Sequence, residues 1–318
     1  MKIGTIKRPN ETQKKLRWGY RAAYDIKKHY PIYLMILPAL VYFIIFHYFP
    51  MYGAQIAFRK YTIGDGIWTS EWVGLKNFTT FFKSYYFERL IRNTVLLNVY
   101  DILFGFPAPI IFALLIYELR NKVFKKTVQT ITYIPHFISL IVICGMIIDF
   151  TSPQGMINKI IGFFGIGPIQ FLAYPEYFRP IYVASNIWQE TGWNSIIYLA
   201  ALTNISPELY EAAKIDGAGR LRQAVSITLP GIAPTIIIML ILRMGRMMDV
   251  GYEKILLLYN PSIYETADVI STFVYRKGLL EANFSYSTAV EFFNSLINFV
   301  ILVAVNKISR KVSETSLW

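Results

Sequence analysis

The chain has 318 residues, of which 54% are hydrophobic and only 16% are charged. Soluble domains carry roughly 25% charged residues, so this composition argues against an ordinary soluble protein and indicates an integral membrane protein. The formal net charge of +12 has the sign expected of a protein that binds nucleic acid. The distribution of the basic residues along the chain argues against that partner.

Six apolar stretches each approach the roughly 20 residues that a helix needs to cross a bilayer. In chain order they lie near Pro31–Phe49, Thr94–Tyr117, Ile131–Phe150, Pro180–Leu202, Ile232–Met248 and Ser287–Val305. They predict an all-α integral membrane protein with six transmembrane helices in a domain over residues 30–306. The fifth stretch is the least regular, because two arginines interrupt it.

Lysine and arginine are divided unevenly between the two sides of these predicted spans. Nineteen lie before the first span, in the second-to-third and fourth-to-fifth connections, and after the last span, whereas eleven lie in the other three connections. Cytoplasmic segments carry the excess of basic residues. Both termini, residues 1–29 and 307–318, are therefore predicted to be cytoplasmic. Residues 14–30 are interpreted either as a basic interfacial helix or as a disordered arm.

The connection between the fourth and fifth spans, residues 204–230, carries strong local helix signals. Ser206-Pro207-Glu208 is a helix start, with serine as N-cap, proline at the first helical position and glutamate complementing the helix dipole. Asp216-Gly217 is a helix stop, because glycine readily takes the left-handed conformation after the C-cap. These signals predict a short helix over residues 207–215.

A second short helix is predicted after this turn, over residues 220–228, with Pro230 ending it before the fifth span. Two short helices at an angle form a rigid knob rather than a flexible loop. Such a knob, placed in the cytoplasm by the charge distribution, suits docking to a soluble partner.

Sequence motifs of a catalytic centre are missing from the chain. It has no G-x-x-x-x-G-K-[ST] phosphate loop, no H-E-x-x-H motif and a single cysteine, Cys144. Its three histidines lie far apart in sequence. The sequence therefore predicts a protein that is not an enzyme and that holds no metal and no cofactor.

Residues 211–230, EAAKIDGAGRLRQAVSITLP, resemble the EAA loop of binding-protein-dependent ABC importer permeases. The stretches 186–213, 251–261 and 265–279 resemble the sugar branch of that family, the maltose-permease-like oligosaccharide and polysaccharide permeases. The resemblance implies the type I ABC importer permease fold, with an EAA coupling helix between helices 4 and 5. Residues assigned to ATPase coupling by this resemblance are Glu211, Ala212, Ala213, Asp216, Gly217, Leu229 and Pro230.

The same resemblance implies the partners of the chain. They are a second permease subunit in a heterodimer, two cytoplasmic ATPases that bind ATP and magnesium, and an extracytoplasmic binding protein that delivers an oligosaccharide. The implied location is the bacterial cytoplasmic membrane. A peptide or amino-acid ABC permease, an ion-driven secondary transporter and a membrane enzyme remain as alternatives, although the sequence has no internal repeat of the kind that many secondary transporters carry.

Polar and aromatic residues at membrane depth predict the solute path, because such groups are costly in lipid and are retained for function. Sugars present hydroxyls to amides and carboxylates, and apolar faces to aromatic rings. The resemblance also places sugar contacts in the helices that carry these residues. The candidates are Trp188, Glu190, Trp193, Asn194, Tyr198, Arg243, Arg246, Met248, Asp249 and Tyr252.

Arg243 and Arg246 set this path apart from a plain maltose-like lining. An arginine at a helix centre costs roughly 2.5–3.5 kcal/mol on insertion scales, so each needs a partner. One interpretation is an acidic, uronate-containing oligosaccharide, because guanidinium groups bind carboxylates bidentately. The other is a structural ion pair with Asp249 or Glu190. Asp101 is interpreted as a helix-packing group or as part of a proton relay.

Overall fold

The computed structural model describes residues 24–313 and Ser316, and it divides into two compact units, Met1–Gln55 and Ile56–Trp318. Most of helix α1 (Tyr30–Phe58) belongs to the first unit. Proline stands in its first turn, where the missing N–H would have no helical partner anyway. Most of the predicted interfacial segment, residues 14–23, lies outside the described residues.

The second unit begins with a small hairpin. Strands β1 (Arg59–Lys60) and β2 (Glu71–Trp72) pair antiparallel and enclose helix α2 (Gly66–Thr69). Phe58 stacks on Trp72 with ring centroids 5.6 Å apart. Helix α3 (Lys76–Phe82) follows and buries Phe78 and Phe81.

Helices make up most of the remaining chain. Their bounds are α4 (Phe87–Glu118), α5 (Lys122–Phe137), α6 (Leu140–Thr151), α7 (Met156–Gly162), α8 (Pro175–Leu202), α9 (Pro207–Ile215), α10 (Arg220–Met244), α11 (Tyr252–Leu258), α12 (Tyr264–Ala267), α13 (Ile270–Tyr275) and α14 (Phe284–Ser313). Short 3₁₀ turns lie at Phe171–Ala173 and Pro261–Ile263.

Five segments of the described residues are long and apolar enough to cross a membrane: α1, α4, Leu140–Gly162, α10 and α14. Helix α8 has 28 residues, but its charged and amide side chains keep it out of this set. The predicted continuous helix over residues 131–150 is wrong. The chain is extended at Ile138 and Ser139, with ψ of 136° and 143°, so α5 ends and α6 begins there.

Three π turns lie inside the long helices and share one sequence feature: each ends two residues before a proline. The turns are Ile44–Tyr48, Asp101–Gly105 and Ala224–Thr228, and the prolines are Pro50, Pro107 and Pro230. In each case the residue just before the proline donates its N–H to the carbonyl five residues back. Proline lacks an N–H, and its ring clashes with the carbonyl four residues back. A wider turn therefore lets the helix pass the proline without ending.

A buried carboxylate joins α4 to the segment that precedes α14. Asp268 is fully buried and accepts hydrogen bonds from Arg89 at 2.7 Å and from Arg276 at 2.8 and 3.0 Å. Asn93 donates to the Asp268 carbonyl at 3.0 Å, and Thr94 accepts the Ile270 N–H at 3.1 Å. These bonds fix the non-helical chain around residue 268 against α4.

The backbones of helices α5 and α8 are in close contact. A Cβ atom on Gly192 would overlap the carbonyl oxygen of Thr132. Only glycine allows this approach, and it brings the end of α5 beside the polar middle of α8.

Candidate coupling loop and solute path

The predicted helix over residues 207–215 is present as α9, with the predicted caps. The Ser206 hydroxyl accepts the Glu208 N–H at 3.3 Å, and Asp216 is the C-cap. Gly217 has φ +74°, and the next amide, of Ala218, donates to the Ala213 carbonyl at 2.8 Å. This 6→1 bond and the left-handed glycine form a Schellman closure. The signals are local in sequence, and for that reason they predict the helix correctly.

The predicted second short helix is instead the first part of α10, which continues from Arg220 to Met244 without a break. The prediction that Pro230 ends it is wrong, because the π turn Ala224–Thr228 accommodates the proline. Residues 204–230 therefore contain one short helix, α9, attached by a sharp turn to the first residues of the long helix α10.

Side chains also tie α9 to its neighbours. The Tyr210 hydroxyl lies 3.1 Å from the hydroxyl of Thr228, which is buried in α10. The ring of Tyr210 lies 6.4 Å from that of Tyr117 in α4, and Gln223 donates to the Ala218 carbonyl at 2.7 Å. Two apolar side chains of the loop point away from the rest of the chain, with Ile215 87% and Leu221 81% exposed.

The coupling residues predicted from the EAA resemblance have different exposures. Glu211, Ala212, Asp216, Gly217, Leu229 and Pro230 are exposed, whereas Ala213 is half-buried.

Two of the predicted path residues on α8 meet the end of α5. His136 Nδ1 lies 3.0 Å from Glu190 Oε2. The His136 ring stacks on Trp193 with centroids 4.5 Å apart and planes within 4°, and Phe137 meets the same indole edge-on at 5.3 Å. Trp193 stays 40% exposed. The cluster therefore presents an indole beside a carboxylate, the combination that suits a sugar ring and its hydroxyls.

Arg243 is paired with Asp101, not with Asp249 or Glu190. The carboxylate of Asp101 accepts a close hydrogen bond from Arg243 Nη2, and Asn98 Oδ1 lies 3.4 Å from the same nitrogen. Asp101 and Asn98 both lie on α4, and Asp101 precedes Arg243 by 142 residues in the sequence. The predicted structural ion pair exists, but both predicted partners are wrong. Of the two interpretations of Asp101, the pairing favours helix packing.

Removing the Asp101 carboxylate is expected to destabilise the protein. Asp101→Ala leaves the Arg243 guanidinium half-buried without its anion, at a cost of about 1–3 kcal/mol. The double variant Asp101→Leu with Arg243→Met replaces the pair by apolar side chains and is expected to recover most of this loss. The thermal midpoint of the purified protein in detergent measures both.

Asp149→Ala serves as the control, because that carboxylate is exposed and has no ion pair among the described residues. Equal thermal midpoints for Asp101→Ala and Asp149→Ala would contradict a stabilising role of the pair.

The other predicted path residues fall into two groups. Tyr198 and Met248 are each 2% exposed, so they pack inside the protein. The exposed group consists of Trp188, Asn194, Arg246, Asp249 and Tyr252. Among the described residues, no hydrogen bond or ion pair joins the α8 candidates directly to the candidates at residues 243–252. One link from α8 to this region is a pair whose lysine the sequence did not single out.

That pair is Lys254 with Asn186. Lys254 is 4% exposed, and its Nζ donates to Asn186 Oδ1 at 2.7 Å. Its ammonium also lies 5.6 Å from the centroid of the Tyr182 ring. A lysine two residues after Tyr252 suggests a solvated loop, so only the fold identifies it as a buried contact between α8 and α11.

Comparison with known proteins places this geometry in a family. Residues 86–314 match the family described as binding-protein-dependent transport system inner membrane component. The chain belongs to this family of inner membrane transport components. The predicted membership in the ABC importer permeases is therefore confirmed, and with it the assignment as a non-catalytic permease subunit.

Relatives of the same length support the assignment. The chain is 45% identical to the polygalacturonan/rhamnogalacturonan transport system permease protein YteP of Bacillus subtilis (strain 168), covering 90% of each chain. It is 44% identical to the protein LplB of the same organism, covering 92% of each. Both alignments extend beyond the family match, toward the N-terminus of the chain.

A solved structure shows the same fold. It is a bacterial ABC transporter involved in the import of the acidic polysaccharide alginate, similar to this chain with a TM-score of 0.86 and 45% identity over 92% of this chain and 99% of the other. A second structure, in complex with alginate pentasaccharide-bound periplasmic protein, matches equally well. The chain therefore has the type I ABC importer permease fold and is a multi-pass inner membrane protein.

Proposed function

We propose that this chain is the permease subunit of an ATP-driven importer that translocates an acidic, uronate-containing oligosaccharide. The solute class is supported by the relatives, which are a polygalacturonan/rhamnogalacturonan permease and an importer of the acidic polysaccharide alginate. Delivery by an extracytoplasmic binding protein is supported by the alginate transporter in complex with its sugar-bound periplasmic protein.

The observation that carries the ATP-driven mechanism is the capped, exposed helix α9 joined to α10 through Gly217. We propose that residues 204–230 dock in a groove of a separate ATPase, which holds ATP and magnesium. The small side chains of Ala212 and Ala213 permit close approach, and Ile215 contributes apolar contact. Glu211 is placed to accept hydrogen bonds from the partner.

The topology and the assembly follow the same proposal. Helix α8 is proposed as the sixth span, because its polar side chains face a solute path rather than lipid. Residues 1–29 and 307–318 are then cytoplasmic, and residues 30–306 form the transmembrane domain. The chain pairs with a second permease subunit and two ATPases in the bacterial cytoplasmic membrane.

ATP-driven closure of the two ATPases supplies the movement in this mechanism. Closure brings the two coupling loops of the heterodimer together, and each loop carries its long helix with it because α9 is fixed to α10. Rocking of these helices exchanges an inward-facing for an outward-facing cavity, a rigid-body transition between two packed states.

Within the proposed path, aromatic and polar side chains contact the solute. They are the exposed Trp188, Trp193, Asn194, Arg246 and Tyr252, together with the half-buried Glu190. Four other residues support the path without being proposed to contact the solute. Arg243 bonds to α4 and Asp249 bonds to α14, whereas Tyr198 and Met248 are buried.

Arg246 is the proposed contact for a solute carboxylate. It is exposed, and no carboxylate lies within ion-pair distance of it among the described residues. In proteoliposomes containing the whole importer, Arg246→Gln is expected to raise the KM for an acidic oligosaccharide about tenfold, which corresponds to a charged hydrogen bond of about 1.4 kcal/mol.

Arg246→Lys retains the charge and is the matched control, with a smaller expected increase in KM. A neutral oligosaccharide tests the solute class. Uptake of the neutral sugar in preference to the acidic one, with kinetics that Arg246→Gln leaves unchanged, would overturn the proposed solute.

A further inference from the structure

The chain is not helical between α10 and α11, over residues 245–251. Within this break, most amides are satisfied by the turns of the backbone itself. The N–H of Arg246 donates to the Arg243 carbonyl at 3.1 Å, that of Met247 to Met244 at 3.1 Å, and that of Asp249 to Arg246 at 3.0 Å. The amide of Met248 has no such backbone partner.

Asn298 on α14 supplies the acceptor that this amide needs. Its Oδ1 accepts the Met248 N–H at 2.8 Å, and its Nδ2 donates to Asp249 Oδ1 at 3.0 Å. The asparagine is 8% exposed and Met248 is 2% exposed, so water does not replace these bonds easily. One side chain therefore holds two consecutive residues of the break.

A second asparagine reinforces the contact one helical turn earlier. Asn294, 1% exposed, lies on the same side of α14 and donates to Asp249 Oδ1 at 3.3 Å. Among the described residues no cation lies within ion-pair distance of Asp249. Two neutral amides thus hold the Asp249 side chain and fix its direction.

The two ends of the break are held by close packing. A Cβ atom on Gly245 would come within 2.7 Å of Leu302 on α14, and one on Gly251 within 3.3 Å of the Tyr182 hydroxyl on α8. The non-helical segment is therefore enclosed between α14 and α8, and its conformation depends on contacts from both helices.

We propose that Asn298 is a positioning residue that keeps this non-helical segment in the conformation that presents Arg246 and Tyr252 to the solute. The inference rests on the proposed function, because it assumes that these two side chains line the path. Discontinuous helices are a recurring way to place backbone and side-chain groups at the depth of a transported solute. Asn298 acts through the segment and does not itself touch the solute.

A double-mutant cycle between positions 298 and 249 tests this role in the whole importer in proteoliposomes. Asn298→Asp keeps an acceptor for the Met248 N–H but sets a carboxylate against the carboxylate of Asp249. Asp249→Asn restores a donor–acceptor match, because the new amide at position 249 donates to the new carboxylate at position 298. The two substitutions therefore compensate each other if the contact matters for transport.

When position 249 is aspartate, we expect Asn298→Asp to lower the maximal rate of acidic oligosaccharide uptake about tenfold. When position 249 is asparagine, we expect it to lower that rate less than about twofold. A difference of this size is ordinary for the coupling of two residues in contact. The comparison is made against Asp249→Asn alone, so any loss caused by that substitution cancels. Leu296→Ala, at a side chain 52% exposed on the same helix, is the control for a general change in α14.

A purely structural role would change the stability and not the uptake of the protein that remains folded. The thermal midpoint of each variant and the rate per assembled complex are therefore measured together. Equal effects of Asn298→Asp in both backgrounds would overturn the inference, as would a reduced thermal midpoint with unchanged uptake per complex. Absence of acidic oligosaccharide uptake by the unmodified importer would instead overturn the proposed function.

Discussion

Replacing Gly217 with proline is expected to abolish solute uptake while the protein still inserts and folds. Gly217 has φ +74°, whereas proline is confined to about −65°. Its amide donates to the Lys214 carbonyl at 3.1 Å, and proline has no N–H to donate. The turn between α9 and α10 would open, and α9 would lose the direction from which we propose that it meets the ATPase.

A substitution at Gly217 changes the backbone conformation without creating a side-chain clash. Beyond Gly217 itself and its two neighbours in the chain, no heavy atom lies within 4 Å of a Cβ atom built on it, so a substitution disturbs no packing. Gly217→Ala is expected to cost about 1 kcal/mol, because an alanine must adopt the left-handed conformation, and uptake should fall only in part.

Gly219→Ala is the matched control, two residues further on. That glycine has φ −66° and open space around it, so alanine fits. Uptake and binding-protein-stimulated ATP hydrolysis in proteoliposomes are measured for all three variants. Normal uptake by Gly217→Pro would contradict the coupling role of the loop.

Replacing Asp268 with alanine is expected to destabilise the second unit strongly. The substitution removes a fully buried carboxylate and leaves Arg89 and Arg276 without their anion. Breaking a buried charge pair in this way costs about 3–5 kcal/mol. The segment around residues 264–272 would then lose its bonds to α4.

The measurement is the thermal midpoint in detergent together with the yield of folded protein. Glu265→Ala is the control, because Glu265 is an exposed carboxylate three residues away whose side chain has no ion pair among the described residues. A variant that replaces Asp268, Arg89 and Arg276 together by apolar side chains should be more stable than Asp268→Ala alone. A thermal midpoint for Asp268→Ala equal to that of Glu265→Ala would show that the network contributes nothing.

The prediction of α9 from sequence succeeded because its signals act within one turn of helix. An N-cap serine, a proline at the first helical position and a glycine after the C-cap each satisfy or remove backbone groups of their immediate neighbours. The same local reasoning failed at Pro230. A helix can pass a proline when the preceding turn widens, as three π turns of this chain do, and it also passes Pro38, Pro180 and Pro234 without one.

The partners of the charged path residues could not be predicted in the same way. The sequence indicated that Arg243 needs an anion, since an unpaired guanidinium at membrane depth is costly. It offered nearby Asp249 and the α8 residue Glu190, but α4 brings Asp101 to Arg243, whereas Glu190 meets His136 and Asp249 meets two asparagines. Such choices follow from helix packing, which pairs residues that are far apart in the chain.

The class of the protein and the short helix α9 could therefore be predicted from sequence alone. Apolar length, the positions of basic residues and the helix caps are properties of short segments, and they retain their meaning in any packing. Which polar groups satisfy one another became visible only in the folded chain, as for Asp268 between two arginines and Asn298 at the break after α10. Hydrogen bonds and ion pairs are effective only within a few ångströms, so the close approach of the helices had to be known before their partners could be assigned.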